Sequence, residues 1–483
     1  MVPVILSLRR TFYQLNDHRN DNSFNWQKVL RRLRMTDFFQ SHEKPTRMKL
    51  TIFWHRRDLR ITDNTGLAAA LQGEAPVVPL FIFDRDILDK LPSKQDARVT
   101  FIYDAVEQLA QETGGASGTM LVCYGKPEEV FEQLLKDYDL AAVHTNEDYE
   151  PYARQRDEAI AKLLKQKNVP FTAHKDQVIF AKDEVLTKSG TAAKVYGAYN
   201  KAWRAALQDD SFQERPSRQL FTKKNLHRID QAPARPTLAD MGFERYEQPV
   251  TPAQLLNKND VEHYDKTRNR LADDHGTTHR SVHLRHGTLS VRQLMSQAQE
   301  LNDKLLDELI WRDYFMMLLW HFPETAEESY DKPFRRIEWR NNQEEFAAWC
   351  EGRTGFPLVD AGMRQLNQTG WMHNRARITT ASFLIKDLLI DWKWGEQYFA
   401  DKLIDYDMSN NIGNWQWTAG TGVVSAPWFR IFSPESQLQK YDPKLEYVKA
   451  WIPEFGTDAY PQPIVDHKEA RQRALDAFRA ARK

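Results

Sequence analysis

Short apolar, β-branched runs alternate with stretches of helical period between residue 50 and about residue 180. The segments 50–54, 77–83, 120–124, 141–145 and 169–173 predict strands, and 98–111, 127–138 and 152–167 predict helices. Strand and helix in strict alternation predict a parallel, doubly wound sheet. No Gly-x-Gly-x-x-Gly follows the first strand, so an NAD-type site there is unsupported. Residues 181–250 are rich in Lys, Pro and Gln with little period, and predict a long inter-domain connector. Beyond about 251 the strand pattern disappears. Apolar positions spaced by three and four predict helices over 289–301, 304–320, 342–350, 359–368, 374–390 and 394–403. The fold expected is a Rossmann-like α/β domain over 49–180 followed by an all-helical domain over 251–483.

At 483 residues the chain exceeds one ordinary core, which agrees with two domains. Hydrophobic content of 41% with 28% charged residues describes a globular protein, and no apolar run approaches membrane-spanning length. The 67 basic and 67 acidic residues cancel, so a nucleic-acid partner requires a local basic patch rather than net charge. Cys123 and Cys350 are the only cysteines, which excludes a disulfide framework and a cysteine metal site and predicts a reducing, cytoplasmic setting. Residues 1–48 hold nine Lys/Arg against four Asp/Glu and lack sustained apolar period. Their first apolar run is too short for a secretory signal. A basic transit segment and a start at Met48 both fit. The unusual figure is 14 Trp.

Several constellations carry candidate chemistry. Asp405 and Asp407 precede a turn-prone run, Asn410-Asn411-Ile412-Gly413-Asn414, that leads into Trp415-Gln416-Trp417. Carboxylates and amides can read the edge of a heteroaromatic ring, and indoles stack and give up electrons readily. A redox-active ring beside a stacked aromatic substrate fits, as does a tryptophan-rich core with a polar turn. Glu308, Trp311 and Arg312 stand at i, i+3 and i+4 in a helical pattern and share a face that suits a base edge, a stack and a phosphate. An ordinary Glu–Arg pair beside a packed indole reads equally well. Tyr264 and Arg268 precede Gly276-Thr277-Thr278-His279-Arg280-Ser281, which ends at a helix start and suits either an anionic group or simple capping. Around Trp371, Asn374 stands beside Arg375 and Arg377. His373 is alone, so a metal site is not expected. Trp339, Trp392 and Trp415 read singly as core residues.

Together these motifs resemble the DNA photolyase/cryptochrome flavoproteins. The resemblance starts at Trp54-His55-Arg56-Arg57-Asp58-Leu59-Arg60-Ile61-Thr62-Asp63-Asn64. It continues through Glu308–Arg312, Thr369–Arg375, Asp391-Trp392 and Asn414–Trp417 to Tyr460-Pro461-Gln462-Pro463-Ile464-Val465. It implies an α/β antenna domain and a helical domain holding one non-covalent FAD. By position, Tyr264, Thr277, Thr278, His279, Arg280, Ser281, Arg377, Asp405, Tyr406, Asp407 and Asn411 would bind FAD. Trp415, Trp392 and Trp339 match the family's electron-hopping chain. Arg268, Glu308, Trp311, Arg312, Asn374, Arg375, Trp417 and Gln437 match the side that faces UV-damaged DNA. Glu308 would act as a neutral carboxyl in a dry pocket. The implied activity is light-driven splitting of a flipped-out cyclobutane pyrimidine dimer by an electron from FADH−, in a monomer that needs no metal and no membrane.

Within the family, Asn411 stands where photolyases carry Asn beside the flavin N5 and signalling cryptochromes often carry Asp or Cys. Asn374 replaces the first histidine of the six-four pair. The chain also stops soon after the helical domain. These features favour a class I dimer photolyase over a cryptochrome photoreceptor, a single-strand-preferring enzyme or a six-four enzyme. Three positions depart from the pattern. Ile378 stands at a Met site, one extra residue separates Tyr264 from Thr277, and the usual Thr-Ser-x-Leu-Ser reads Thr-Thr-His-Arg-Ser. In the antenna domain Tyr152-Ala153 replaces the Asn-Glu pair of folate binders, which favours deazaflavin or FMN over folate as a second chromophore and leaves an empty site open.

Overall fold

Five parallel strands form one sheet in the order β3-β2-β1-β4-β5: β1 Lys49–His55, β2 Val77–Asp84, β3 Leu121–Gly125, β4 Asp139–Asn146 and β5 Phe171–His174. The computed structural model describes residues 48–114, 119–229, 233–247, 255–256, 258–273 and 275–483. The basic extension expected over 1–48 lies outside the described residues except for Met48. Every residue of β2 is buried and all but the first of β1, as expected of a parallel sheet covered on both faces. The helices Ala97–Glu112, Pro127–Asp137 and Pro151–Lys165 lie close to their predicted bounds. Strand order reverses between β1 and β4. In open α/β sheets the crevice beyond the carboxyl ends at such a point is where ligands bind.

The stretch 181–250 is more than a connector. It contains the helix Tyr196–Ala206, whose Tyr199 and Trp203 are fully buried, in one apolar cluster with Leu305, Leu306, Leu309 and Ile310 of the helix Asp303–His321. That single four-residue spacing is diluted by the Lys- and Pro-rich flanks, so periodicity over a wide window misses it. The chain then returns to the sheet, where His227 N donates to Val77 O at 2.9 Å and Leu238, Met241 and Phe243 complete a core cluster.

Among the described residues beyond 251 there are no strands. The helices Val291–Leu301, Gln343–Glu351, Pro357–Thr369, Asn374–Ser382 and Trp392–Lys402 follow the predicted segments. The segment 374–390 does not run as one helix. After Ser382 it widens into a π-helical turn, Phe383–Asp387, and Leu389 takes φ +51°. A second correction concerns the Asn/Gly run. Met408–Ala419 is one continuous helix, with Asp407 accepting from Asn410 N at the N-cap. Tertiary packing overrides local turn propensity here: Ile412 and Trp415 are buried, and a Cβ on Gly413 would fall 2.2 Å from the Phe315 ring.

A buried charge network fastens the sheet to the helices. Arg292 donates to Asp63 at 2.9 Å and to Asp176 at 2.8 Å, while Arg60 donates to Asp176 at 2.6 Å. Burial works against an ionised Asp176, yet the two guanidiniums hold its carboxyl far below the usual carboxylate range.

Candidate functional site

Helix Met408–Ala419 turns its first turn and Trp415 toward a cavity of about 270 Å³. Four separate segments close it. Tyr264 begins one wall, the loop Thr277, Thr278, His279, Arg280 and Ser281 forms the next, and Arg377 and Ile378 come from helix Asn374–Ser382. Asp405, Tyr406, Asp407, Asn411 and Trp415 complete it, with Asn374 also in the lining. Residues spread over 150 positions thus meet at one concavity, which holds every position expected to contact FAD.

Local geometry explains how each wall is fixed. His279 adopts φ +50° and its ring lies 4.5 Å from that of Trp371, which turns the loop 277–281 inward. Arg377 donates to Met372 O at 2.7 Å and to Asp405 Oδ2 at 2.8 Å. Thr277 Oγ1 and Asp405 Oδ1 are buried in the lining without a hydrogen-bond partner among the described residues. Buried polar atoms are normally satisfied, so this pair calls for a polar ligand. A nucleotide cofactor with hydroxyls, phosphates and a ring edge meets that demand.

Asn411 Nδ2 donates to the carbonyl of Glu396 at 3.1 Å and to its carboxyl at 2.9 Å. Burial pushes the Glu396 carboxyl up. Asp407 is the most heavily tied residue of the cavity. It accepts from Arg57, which is also 2.9 Å from Glu150 and 3.3 Å from Asp148, while Arg285 stands 3.5 Å from Asp407 and 2.6 Å from Glu150. Against the cost of burial, these arginines hold the Asp407 carboxyl far below its usual range. Arg57 and Glu150 sit at the carboxyl ends of β1 and β4, so the crevice of the sheet opens directly onto the wall of the cavity. Glu396 and Arg285 carried no motif signal, and the fold alone brings them here.

Some of the residues expected to face DNA lie close to one another near the exposed Asn374. Arg268 donates to Glu308, and Lys304 stands 3.8 Å from the same carboxyl. Arg375 donates to Asn269 Oδ1 at 2.7 Å and lies 4.7 Å above the Tyr441 ring, with Arg430 near enough to act on it electrostatically. Arg268 and Arg430 both act electrostatically on Arg375 beside Glu308. Two expectations need correcting. The Glu308 side chain is 30% exposed and ion-paired with Arg268 and Lys304, so it is not enclosed in a dry pocket. Arg312 turns inward, donating to the carbonyls of Gln177 and Leu284, so it is a strut and not a phosphate contact.

The two tryptophans of the substrate set each have a neighbouring ring. Tyr196 lies parallel to Trp311 at 3.5 Å between centroids, and Phe432 stacks on Trp417 at 6.4 Å. Gln437 lies half-buried on helix Pro434–Tyr441. Trp392 and Trp339 belong to the same apolar cluster as Trp415, with Trp392 buried and Trp339 half-buried. His373 accepts from Arg375 N at 3.0 Å and caps its helix, and burial pushes it down to about 4. At the sheet, Tyr152 donates to Asp84 at 2.7 Å and Arg156 lies 4.9 Å above Trp54.

A doubly wound sheet docked on a helical half, with a cavity that holds unpartnered Thr277 and Asp405 oxygens and an indole in its wall, suits a nucleotide-like cofactor. Comparison with known proteins agrees. Residues 51–218 match the family described as DNA photolyase, and residues 305–458 match the FAD binding domain of DNA photolyase. A deoxyribodipyrimidine photo-lyase of Synechococcus sp. is 35% identical over 476 residues, which cover 88% of this chain and 96% of that one. A bacterial class III photolyase from Agrobacterium tumefaciens superposes with a TM-score of 0.78 at 29% identity, covering 91% of this chain and 99% of that one. An archaeal photolyase from Sulfolobus tokodaii, solved with two FAD molecules, superposes with a TM-score of 0.74 at 30% identity, covering 89% and 100%. The chain belongs to the DNA photolyase family, and its helical half is the family's FAD-binding domain.

Proposed function

We propose that this chain repairs UV-damaged DNA in light, splitting cyclobutane pyrimidine dimers as a deoxyribodipyrimidine photo-lyase. The observation that carries the reading is the adjacency of two surfaces. The cavity that would hold FAD shares Asn374 and Tyr264 with a rim where Arg268, Arg375 and Arg430 gather around Glu308. FAD bound there in reduced form supplies a photoexcitable one-electron donor. Asn411 spends its N–H on Glu396, which leaves its amide oxygen to accept from a ring N–H, and an amide offers no carboxylic proton. Arg268 and Arg375 hold the phosphates beside the lesion and set its register. Trp311 and Trp417, each supported by a neighbouring ring, offer flat faces to the extruded dimer, and photolyases are among the enzymes described as flipping their target out of the stack. Glu308, accepting from Arg268, keeps that guanidinium in place at the rim. Trp415, Trp392 and Trp339 would return electrons to the cavity from the surface.

Asn374 is an amide where six-four chemistry calls for a histidine, which supports the dimer as substrate. In the α/β domain, Tyr152 and its contact with Asp84 occupy the folate-type position, so a deazaflavin or flavin is the second chromophore favoured. The test is a competition among three DNAs under blue light: duplexes carrying one cyclobutane dimer or one six-four product, and a single strand carrying the dimer. The dimer duplex should be repaired fastest. Preferred repair of the six-four product or of the single strand would replace the reading, and chromatography of chromophores released on denaturation should show FAD.

A further inference from the structure

Lys386 is only 1% exposed, and lysine is almost never buried without a counter-charge. Its neighbour Asp387 is engaged by His467, and burial pushes the Lys386 amine well down with no carboxylate acting against it. Nζ donates to Ala419 O at 2.8 Å and to Trp428 O at 3.0 Å, and stands 3.3 Å from the centre of the Phe478 ring. These three neighbours match the three N–H bonds of an ammonium, with the ring face as the third acceptor. A methionine would fill the same space, so the donors rather than the bulk call for lysine here.

Both carbonyls belong to the chain that folds over the end of helix Met408–Ala419. The N–H groups of Gly420 and Thr421 close on the carbonyls of Gln416 and Trp417, which leaves Ala419 O, at the negative end of the helix, to the lysine. Gly420 then turns the chain back with φ +79°, and a Cβ on it would fall 2.6 Å from Trp428 Cα. Ala426 N donates to Trp417 O at 3.0 Å. Beyond Trp428, the Arg430 guanidinium lies 4.8 Å over the Phe432 ring, and Phe432 stacks on Trp417. Ser382 Oγ accepts from Phe432 N at 3.4 Å, so Ser382 and Lys386 both grip this loop across the π-helical turn Phe383–Asp387. Such turns often mark functional positions in a helix.

We propose that Lys386 is a positioning residue for the DNA-facing rim, holding loop 420–432 so that Phe432 backs Trp417 and Arg430 reaches the DNA. The proposal rests on the photolyase reading, which gives Trp417 and Arg430 their substrate. Lys386 is absent from the lining of the cofactor cavity, which helix Met408–Ala419 supplies through earlier residues up to Thr418. Removing the amine therefore frees the loop and leaves the cavity closed. DNA is then held less well before and during the reaction alike, so KM rises and kcat stays.

The test compares the unmodified, FAD-loaded protein with Lys386→Met, which keeps the apolar stem, and Lys386→Gln, which keeps a donor. Limited chymotryptic cleavage after Phe429, identified by mass spectrometry, reads how firmly the loop is held. Cleavage should be several-fold faster in Lys386→Met and intermediate in Lys386→Gln, with FAD content and absorption spectrum unchanged. On a duplex carrying one cyclobutane dimer under blue light, KM should rise about tenfold in Lys386→Met while kcat is unchanged. Should Lys386→Met alone fail to hold FAD, the comparison with Lys386→Gln decides. Cleavage and KM equal to those of the unmodified protein in both variants would overturn the proposal. So would loss of FAD from both, which would make Lys386 a general support of the fold. No splitting by the unmodified holoprotein would instead overturn the photolyase reading, and the cleavage rates would then decide the anchor by themselves.

Discussion

The sharpest residue-scale consequence concerns the cations at the rim. If Arg268 holds a phosphate, Arg268→Gln should lower affinity for damaged and undamaged DNA alike and reduce the salt slope by about one. Fluorescence anisotropy across a salt series reads both, and an unchanged slope would leave Arg268 as a partner of Glu308 alone. Trp311 should behave differently. Stacking is worth roughly 1–3 kcal/mol per base, so Trp311→Ala should weaken dimer-specific binding by about one to two orders of magnitude while undamaged DNA is bound as before. Tyr196, parallel to Trp311 at 3.5 Å, should share part of that loss when changed to Ala, because it braces the indole. Sequence spacing put Glu308, Trp311 and Arg312 on one face, and two of the three do reach the rim. Arg312 does not, because spacing gives the face of a helix but not which neighbouring carbonyls compete for a guanidinium. Glu396 and Arg430 were invisible for the same reason: each gains its role from a partner far away in the chain.

At the scale of elements, helix Met408–Ala419 carries most of the site, and its N-cap is also a charge junction. Asp407→Asn keeps a good cap but removes the negative charge that Arg57 and Arg285 share, whereas Asp407→Ala loses both. Ala should therefore destabilise the fold by about 1 kcal/mol more than Asn in urea unfolding, and both should bind FAD more weakly when apoprotein is titrated. Equal stability of the two variants would mean that the cap carries no weight. Gly413→Ala should cost roughly 1–3 kcal/mol by overpacking, since its Cβ would meet Phe315 at 2.2 Å. That close approach also explains why the helix was illegible. An Asn-Asn-Ile-Gly-Asn run reads as a turn unless Phe315 is known to lie against the glycine. The strands and the amphipathic helices were legible because their period is set by burial on one or two faces, which the sequence records directly. Helix Tyr196–Ala206 is amphipathic but short, and the Lys- and Pro-rich sequence around it hid its period.

For the whole molecule, the two halves are joined where the strand order of the sheet reverses, and Arg57 is the central rivet. Its side chain is only 11% exposed and faces three carboxylates, so Arg57→Ala leaves buried negative charge unmatched, a change that typically costs about 3–5 kcal/mol. Stability should also fall on acidification in two stages. Burial pushes His373 down to about 4 and His286 to about 3, so their contribution is complete above the unfolded value near 6.5 and is lost as pH falls toward those values. Asp176 and Asp407, both depressed, contribute fully above about 4 and lose their share only at lower pH. Urea midpoints at pH 7, 5.5 and 4.5 should decline, and His286→Gln should flatten that decline; an identical slope in the variant would remove His286 from the account. The most direct test of the central claim is one turnover on a duplex with a single cyclobutane dimer. Anaerobically reduced, FAD-loaded protein is bound to it and compared with and without blue light. The account predicts restored pyrimidines in the light and none in the dark. Tight dimer binding without splitting under illumination would contradict it and leave a photoreceptor in its place.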